Sequence, residues 1–251
     1  MATDKKEIAL YKGKIHIEFT EASHRYIVKE PGARPLSVTA CTGIIDKSRP
    51  LIYWATGLAK DHLLGLCGSG KKITEEDIET AVGLHAVRKE EAATIGSLVH
   101  AFAENHIKGV KQEIPEDPKV ANGVIAFLKW KDENKIKFLA SEQIVYSKKH
   151  GYVGIMDCKF TMGGPEKHKI IHAGDFKTSK AIYPEMMAQV SAYQEADSEE
   201  SGCEYGDKWI IRFGKDDGEF EAKSYPLSQH KKDFSAFLGC LAVKKWLKDL
   251  T

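Results

Sequence analysis

Two strand-forming runs, Tyr152 to Phe160 and His168 to Phe176, flank the turn-rich Thr161-Met-Gly-Gly-Pro-Glu-Lys167. That pattern constrains the chain more than any other, because it calls for an antiparallel pair with one register. A hairpin centred near Glu166 sets Asp157 opposite Asp175, and alternation puts Lys177 on the same face as Asp175. Like charges facing each other across a sheet are destabilising unless something neutralises them. Hard carboxylate oxygens suit Mg²⁺ or Mn²⁺, which keep waters and share phosphate oxygens. A lysine beside such an ion could orient its water or assist its deprotonation. Taken alone, the three residues also read as solvated strand ends, since Asp and Lys are common.

Three further segments extend the pattern. Upstream, Ile95-Gly96-Ser97-Leu98-Val99-His100-Ala-Phe-Ala-Glu104 places Gly96, His100 and Glu104 on one helix face. Downstream, Gln189-Val-Ser-Ala-Tyr193 does the same for Gln189 and Tyr193. Glu142, in Ser-Glu-Gln-Ile-Val-Tyr, lies on the preceding strand and reads first as an exposed strand charge, second as a supporting site residue.

Gly154-Ile-Met-Asp157 followed by Asp175-Phe-Lys177, with Gly96-x-x-x-His100 before and Gln189-x-x-x-Tyr193 after, resembles the PD-(D/E)XK nuclease superfamily, in its RecB-like exonuclease branch. The likeness covers about Ile95 to Ala196. It implies a restriction-endonuclease-like core of the α/β (α+β) class, with a central mixed sheet flanked by helices. It implies Asp157, Asp175 and Lys177 as catalytic residues. His100, Asp157, Asp175 and the Phe176 carbonyl would be metal ligands, and Glu104 a second-ion ligand or a partner of His100. Gln189, Tyr193, Thr178 and Ser179 would contact DNA. Met156 stands where the superfamily name has proline, and Asp175 replaces the commoner glutamate; neither change removes a required charge.

The remaining sequence sets limits. Five scattered cysteines without a CxxC argue against a disulfide framework or zinc site. Cys203 and Cys240 are too far apart for the late cysteine cluster of iron–sulfur members of the branch, so no cluster is expected. No apolar run approaches the ~20 residues that span a bilayer, and Met-Ala-Thr-Asp-Lys-Lys-Glu has no signal-peptide core, so a cytoplasmic location is expected. Net charge is only +1, from 37 basic and 36 acidic residues, so attraction to DNA must come from local patches. Lys129, Lys131, Lys135 and Lys137 form one stretch, and Lys231, Lys232, Lys244, Lys245 and Lys248 another; each also reads as a solvated helix face.

Along the chain, Ile15 to Phe19 and His24 to Val28 predict an amino-terminal hairpin. Helices follow at Ser37 to Ile45 and Leu51 to Leu66, broken by Arg49-Pro50. Thr74 and Asp77 predict a capped helix start, with a break near Gly83 before the His100 segment. A helix over Pro118 to Asn134, strands from Phe138, Tyr152 and His168, a helix over Pro184 to Ser198, strands from Lys208 and Glu219, and a helix from Ser228 complete the order. Residues 1–72 are expected as a hairpin and helical extension packed on a nuclease core of residues 73–251. Its aromatic residues Tyr53 and Trp54 read first as packing and second as a wedge for DNA ends.

The leading expectation is an Mg²⁺- or Mn²⁺-dependent exonuclease acting on single- or double-stranded DNA ends in recombination, repair or phage replication. The amino-terminal layout resembles phage-encoded members of the branch, which would place the protein in the host cytoplasm, with a recombination partner or further copies of itself. Two other readings stand beside it: a catalytically silent DNA-binding or recombination scaffold on the same fold, and a structure-specific endonuclease.

Overall fold

The computed structural model describes residues 5–29, 32–164, 169–214 and 219–250. Its elements run β1 Lys5–Leu10, β2 Ile15–Thr20, β3 Arg25–Val28, β4 Leu36–Ser37, α1 Val38–Thr42, α2 Ser48–Gly68, α3 Glu75–Ile107, α4 Pro118–Glu133, β5 Lys137–Ser147, β6 Tyr152–Thr161, β7 Ile171–Thr178, α5 Pro184–Ser201, β8 Tyr205–Phe213, β9 Phe220–Tyr225 and α6 His230–Asp249. The fold is mixed α/β, a central mixed sheet flanked by helices.

Strand β6 organises the main sheet. β5 lines one edge of it, from Lys137↔Thr161 to Ser147↔Tyr152. The other edge is shared: β7 pairs antiparallel at Cys158↔Gly174 to Phe160↔His172, and β4 pairs parallel at Leu36↔Tyr152 and Ser37↔Val153. β8 and β9 complete the order beyond β7. The register between β6 and β7 is the one the turn predicts, although Glu166 and His168 themselves lie outside the described residues.

Helices cover the sheet through two apolar clusters. One joins Val38, Cys41, Tyr152, Met156, Tyr193 and Ile210 to Phe237 and Leu241 of α6. The other joins Val99 and Phe102 of α3 and Val124 and Phe127 of α4 to Phe160, Phe176 and Ile211. Ile210 and Ile211, adjacent on β8, enter different clusters, as side chains pointing to opposite faces must. α3 begins with the expected capping box, in which the Thr74 hydroxyl accepts from the Asp77 N–H and the Asp77 carboxylate accepts from the Thr74 N–H.

Several local expectations change. The amino-terminal hairpin is a three-stranded sheet, because Lys5–Leu10 pairs with β2. Arg49-Pro50 does not break a helix; Pro50 sits in the first turn of α2, where its missing N–H is no loss. Gly83 interrupts nothing, and α3 runs 33 residues. Residues 36–42 enter the main sheet and its core through β4, Val38 and Cys41. The three-stranded sheet packs Ile17, Phe19, Tyr26 and Val28 against Ile144, Tyr146 and Val153 of β5 and β6. Among the described residues no helix is long and apolar enough to cross a membrane.

Candidate active site

The pairing of β6 with β7 ends at Cys158↔Gly174, one residue short of Asp157 and Asp175. A buried backbone donor that loses its ladder partner needs another acceptor. Asp157 supplies it: its Oδ2 accepts the Phe176 N–H at 2.7 Å. The strands therefore splay where the two carboxylates stand, and one carboxylate holds the opening in place.

On the far side of Asp157 lies Glu142. The pairs Ser141↔Cys158 and Gln143↔Met156 flank it, which sets Glu142 across from Asp157. Its backbone has φ 49°, a left-handed conformation that non-glycine residues adopt sparingly and that recurs at functional sites. Glu142, Asp157 and Asp175 thus form a row of carboxylates over three neighbouring strands.

α3 crosses beside this row. A Cβ on Gly96 would meet the Thr178 hydroxyl at 2.6 Å, so glycine lets the helix approach the end of β7. One turn later, His100 Nδ1 lies 3.9 Å from Asp157 Oδ2, and its ring packs edge-on to Phe176. One ligand atom each from His100, Glu142 and Asp157 falls within 4.8 Å of the others. An imidazole with hard carboxylates, crowded by like charge, is a donor set that fits Mg²⁺ or Mn²⁺.

The electrostatics agree with this fit. Burial, then Asp175, raises the Asp157 carboxyl well above the usual range, and Glu142 adds to the shift. Burial, followed by Glu104, pushes Glu142 up to about 7. For His100, burial outweighs the attraction of Asp175 and lowers its pKa, leaving the neutral imidazole that can ligate. Burial opposes the Lys177 ammonium, but Asp175 and then Asp157 prevail and hold its pKa above the ordinary value. Lys177 is ion-paired with the Asp175 Oδ2. It is therefore a positively charged hydrogen-bond donor to Asp175 in the metal-free protein.

Gln189 and Tyr193 occupy a different place from the one expected. Both are buried, at 7% and 2% exposure. The Gln189 amide donates to Asp175 Oδ1 at 3.1 Å and to the Tyr193 hydroxyl at 2.8 Å. They stand behind Asp175, and the Gln189 amide holds its carboxylate. Tyr193 is seated against Gly154, where a Cβ would lie 2.5 Å from the ring Cε1 and 3.1 Å from Val38 Cγ2. Gly154→Ala should cost about 1–3 kcal/mol, because the buried ring has no room to yield. A lowered urea midpoint at constant slope is the expected result, and an unchanged midpoint would show that Tyr193 can rotate away.

The other expected residues divide. Glu104 pairs with Lys108 one turn on and lies outside the trio of ligand atoms, although it lines the same cleft. Thr178 packs under Gly96; the Ser179 hydroxyl donates to the Ala181 carbonyl at 2.8 Å, and its own carbonyl accepts from Arg212. Glu142, ranked second from sequence, is half-buried and central. The signal for it was the turn Lys148 to Gly151, whose register already sets residue 142 against 157.

A cleft of about 460 Å³ opens onto the site. His100, Ala101 and Glu104 of α3 form one wall, Glu142, Ile144 and Ile155 the floor, and Lys6, Phe19 and His24 of the amino-terminal sheet the opposite wall.

No protein-family model matches the chain, and no curated protein matches it. Among solved structures, it is similar to a Eubacterium rectale protein assigned as a candidate exonuclease, with a TM-score of 0.40 and 13% identity over 60% of this chain and 68% of that one. It is similar to LHK-Exo in complex with dAMP, with a TM-score of 0.35 and 12% identity over 86% and 92%. The alkaline exonuclease LHK-Exo from Laribacter hongkongensis aligns with a TM-score of 0.30 and 14% identity over 61% and 82%.

Proposed function

We propose that this chain is a metal-dependent deoxyribonuclease with a PD-(D/E)XK-type core in residues 73–251, acting as an exonuclease on DNA ends. The observation that carries the reading is the row Glu142, Asp157 and Asp175 at the splayed end of β6 and β7, with neutral His100 above it and charged Lys177 beside it. A purely structural site would gain nothing by crowding buried carboxylates.

His100, Glu142 and Asp157 would hold Mg²⁺ or Mn²⁺, and Asp175, outside that trio and held by Gln189 and Lys177, would be a further ligand with the Phe176 carbonyl. Such an ion, when bound, lowers the pKa of water and offsets charge on the scissile phosphate. Lys177 orients the attacking water and stabilises developing negative charge with its ammonium. Gln189 and Tyr193 fix the direction of the Asp175 carboxylate, so little reorganisation is needed during reaction. In-line displacement would leave a 5′-phosphate and a 3′-hydroxyl.

End-labelled linear DNA, single- and double-stranded, is incubated beside covalently closed circles with Mg²⁺, Mn²⁺ or EDTA. Metal-dependent loss of linear DNA with circles intact is the expected result. Cleaved circles would make the protein an endonuclease, and DNA binding without product under any metal would leave the scaffold reading.

A further inference from the structure

Among the described residues of α2, none is buried, although the helix carries Leu51, Ile52 and Tyr53 near its start. Tyr53 is 67% exposed, and the Arg49 guanidinium lies 5.9 Å from its ring centroid. Just before the helix, Lys47 reaches toward the start of α5. Its ammonium lies 5.9 Å from the ring centroid of Tyr183, itself 41% exposed, and pairs with the Glu185 carboxylate. Glu185 is close enough to Lys177 to favour its charged form. Tyr183, with a cation over its ring, is therefore linked to the site through Lys47, Glu185 and Lys177, and Tyr53, with Arg49 over it, follows Lys47 within the first two turns of α2.

Part of the charge elsewhere has a partner within the protein. Lys129 and Lys131 pair with Glu133 and Asp132, while Lys245 and Lys248 donate to the carbonyls of His150 and Arg34. Arg49 makes no ion pair among the described residues, and its fork remains suited to a phosphate. Aromatic faces interleaved with cations suit a strand whose bases are unpaired: a ring stacks on any base, and the cation meets the adjoining phosphate. In a duplex the base faces are already stacked on one another and offer nothing to the tyrosines.

We propose that Tyr53 and Tyr183, with Arg49 and Lys47, form a stacking platform that receives unpaired nucleotides of single-stranded DNA next to the site. The proposal rests on the nuclease reading for what the site does with the strand, but the binding itself needs no cleavage.

The test is fluorescence anisotropy with the full chain in EDTA, using a labelled thymidine 20-mer and a hairpin duplex as probes. Tyr53→Ala and Tyr183→Ala should each weaken single-strand binding by about 5- to 150-fold, with Tyr53→Phe and Tyr183→Phe close to the unaltered chain. Arg49→Ala should lower the slope of log affinity against log salt by about 0.7. Circular dichroism of each variant separates lost stacking from lost fold, and if a tyrosine-to-alanine variant fails to fold, an Arg49→Ala salt slope equal to that of the unaltered chain overturns the platform. Single-strand binding unchanged in both alanine variants overturns the platform, as does a stronger loss on the duplex. Reduced self-association in Tyr53→Ala with single-strand binding intact would make this face a contact between copies, which also overturns it. Metal-dependent cleavage by the unaltered chain is measured separately. If it is absent while tyrosine-dependent binding persists, the nuclease reading fails and the platform stands.

Discussion

Replacing Lys177 by alanine should lower metal-dependent cleavage of linear DNA by about 100- to 10,000-fold, the range for losing one positioned group at a reacting centre. The ammonium has two roles, and the substitution removes both. In the proposed reaction it is the cation paired with Asp175 at the splayed end of the sheet. In the fold, it offsets Asp175, which is wholly buried, and Asp157, which is nearly so. Breaking a buried pair by removing one partner typically costs about 3–5 kcal/mol, because the other charge is left uncompensated. Uptake of a proton by the carboxylates reduces that cost. Lys177→Ala should therefore be less stable than the unaltered protein without metal, and its melting temperature should rise more on adding Mg²⁺. Paired measurements of cleavage and melting, with and without Mg²⁺, check both parts. Cleavage within tenfold of the unaltered chain would sink the assignment of Lys177.

Much of this was legible because local rules and tertiary packing agree. The turn between the two Asp-bearing strands fixes the register that sets Asp157 beside Asp175. Thr74 and Asp77 cap α3, and the spacing of Gly96 and His100 brings one against Thr178 and the other near Asp157. What was not legible depends on distant partners. The two-residue strand β4 has no periodicity of its own; it exists because β6 has a free edge beyond β7. Lys5–Leu10 begins with charged residues, and only pairing with β2 makes it a strand. Gln189 and Tyr193 were correctly grouped on one helix face, but their burial, and so their grip on Asp175, follows from packing against Gly154. Glu142 needed the hairpin register and a left-handed backbone together, and the second leaves no mark in a single sequence.

Glu142→Gln should raise stability in metal-free buffer at pH 8 and lower affinity for Mg²⁺ or Mn²⁺. The carboxyl of Glu142 titrates at about 7 in the folded protein against an ordinary value of 4.5, chiefly through burial. A carboxyl raised on folding contributes stability below its unfolded pKa, and that contribution is lost as pH rises through the folded value. The metal-free protein should thus weaken between about pH 4.5 and 7 on account of this residue. The shift corresponds to about 3 kcal/mol at most, reduced to about 2 by solvent screening of its exposed part. Glutamine keeps the volume and removes the charge, so its advantage should be absent at pH 5 and present at pH 8. With a divalent cation the sign reverses. The cation binds the ionised carboxylates, and its contribution to stability grows with the ratio of its concentration to Kd. Loss of one oxygen ligand should weaken that affinity at least about tenfold and shrink the Mg²⁺-induced rise in melting temperature. Thermal melts at pH 5 and pH 8, with EDTA and with Mg²⁺, separate the possibilities without any measurement of activity. A residue with only a packing role would shift all four melts in one direction. A substitution that stabilises the metal-free protein and penalises the metal-bound one marks a carboxylate retained for the ion, and equal Mg²⁺ shifts in both proteins would remove Glu142 from the site.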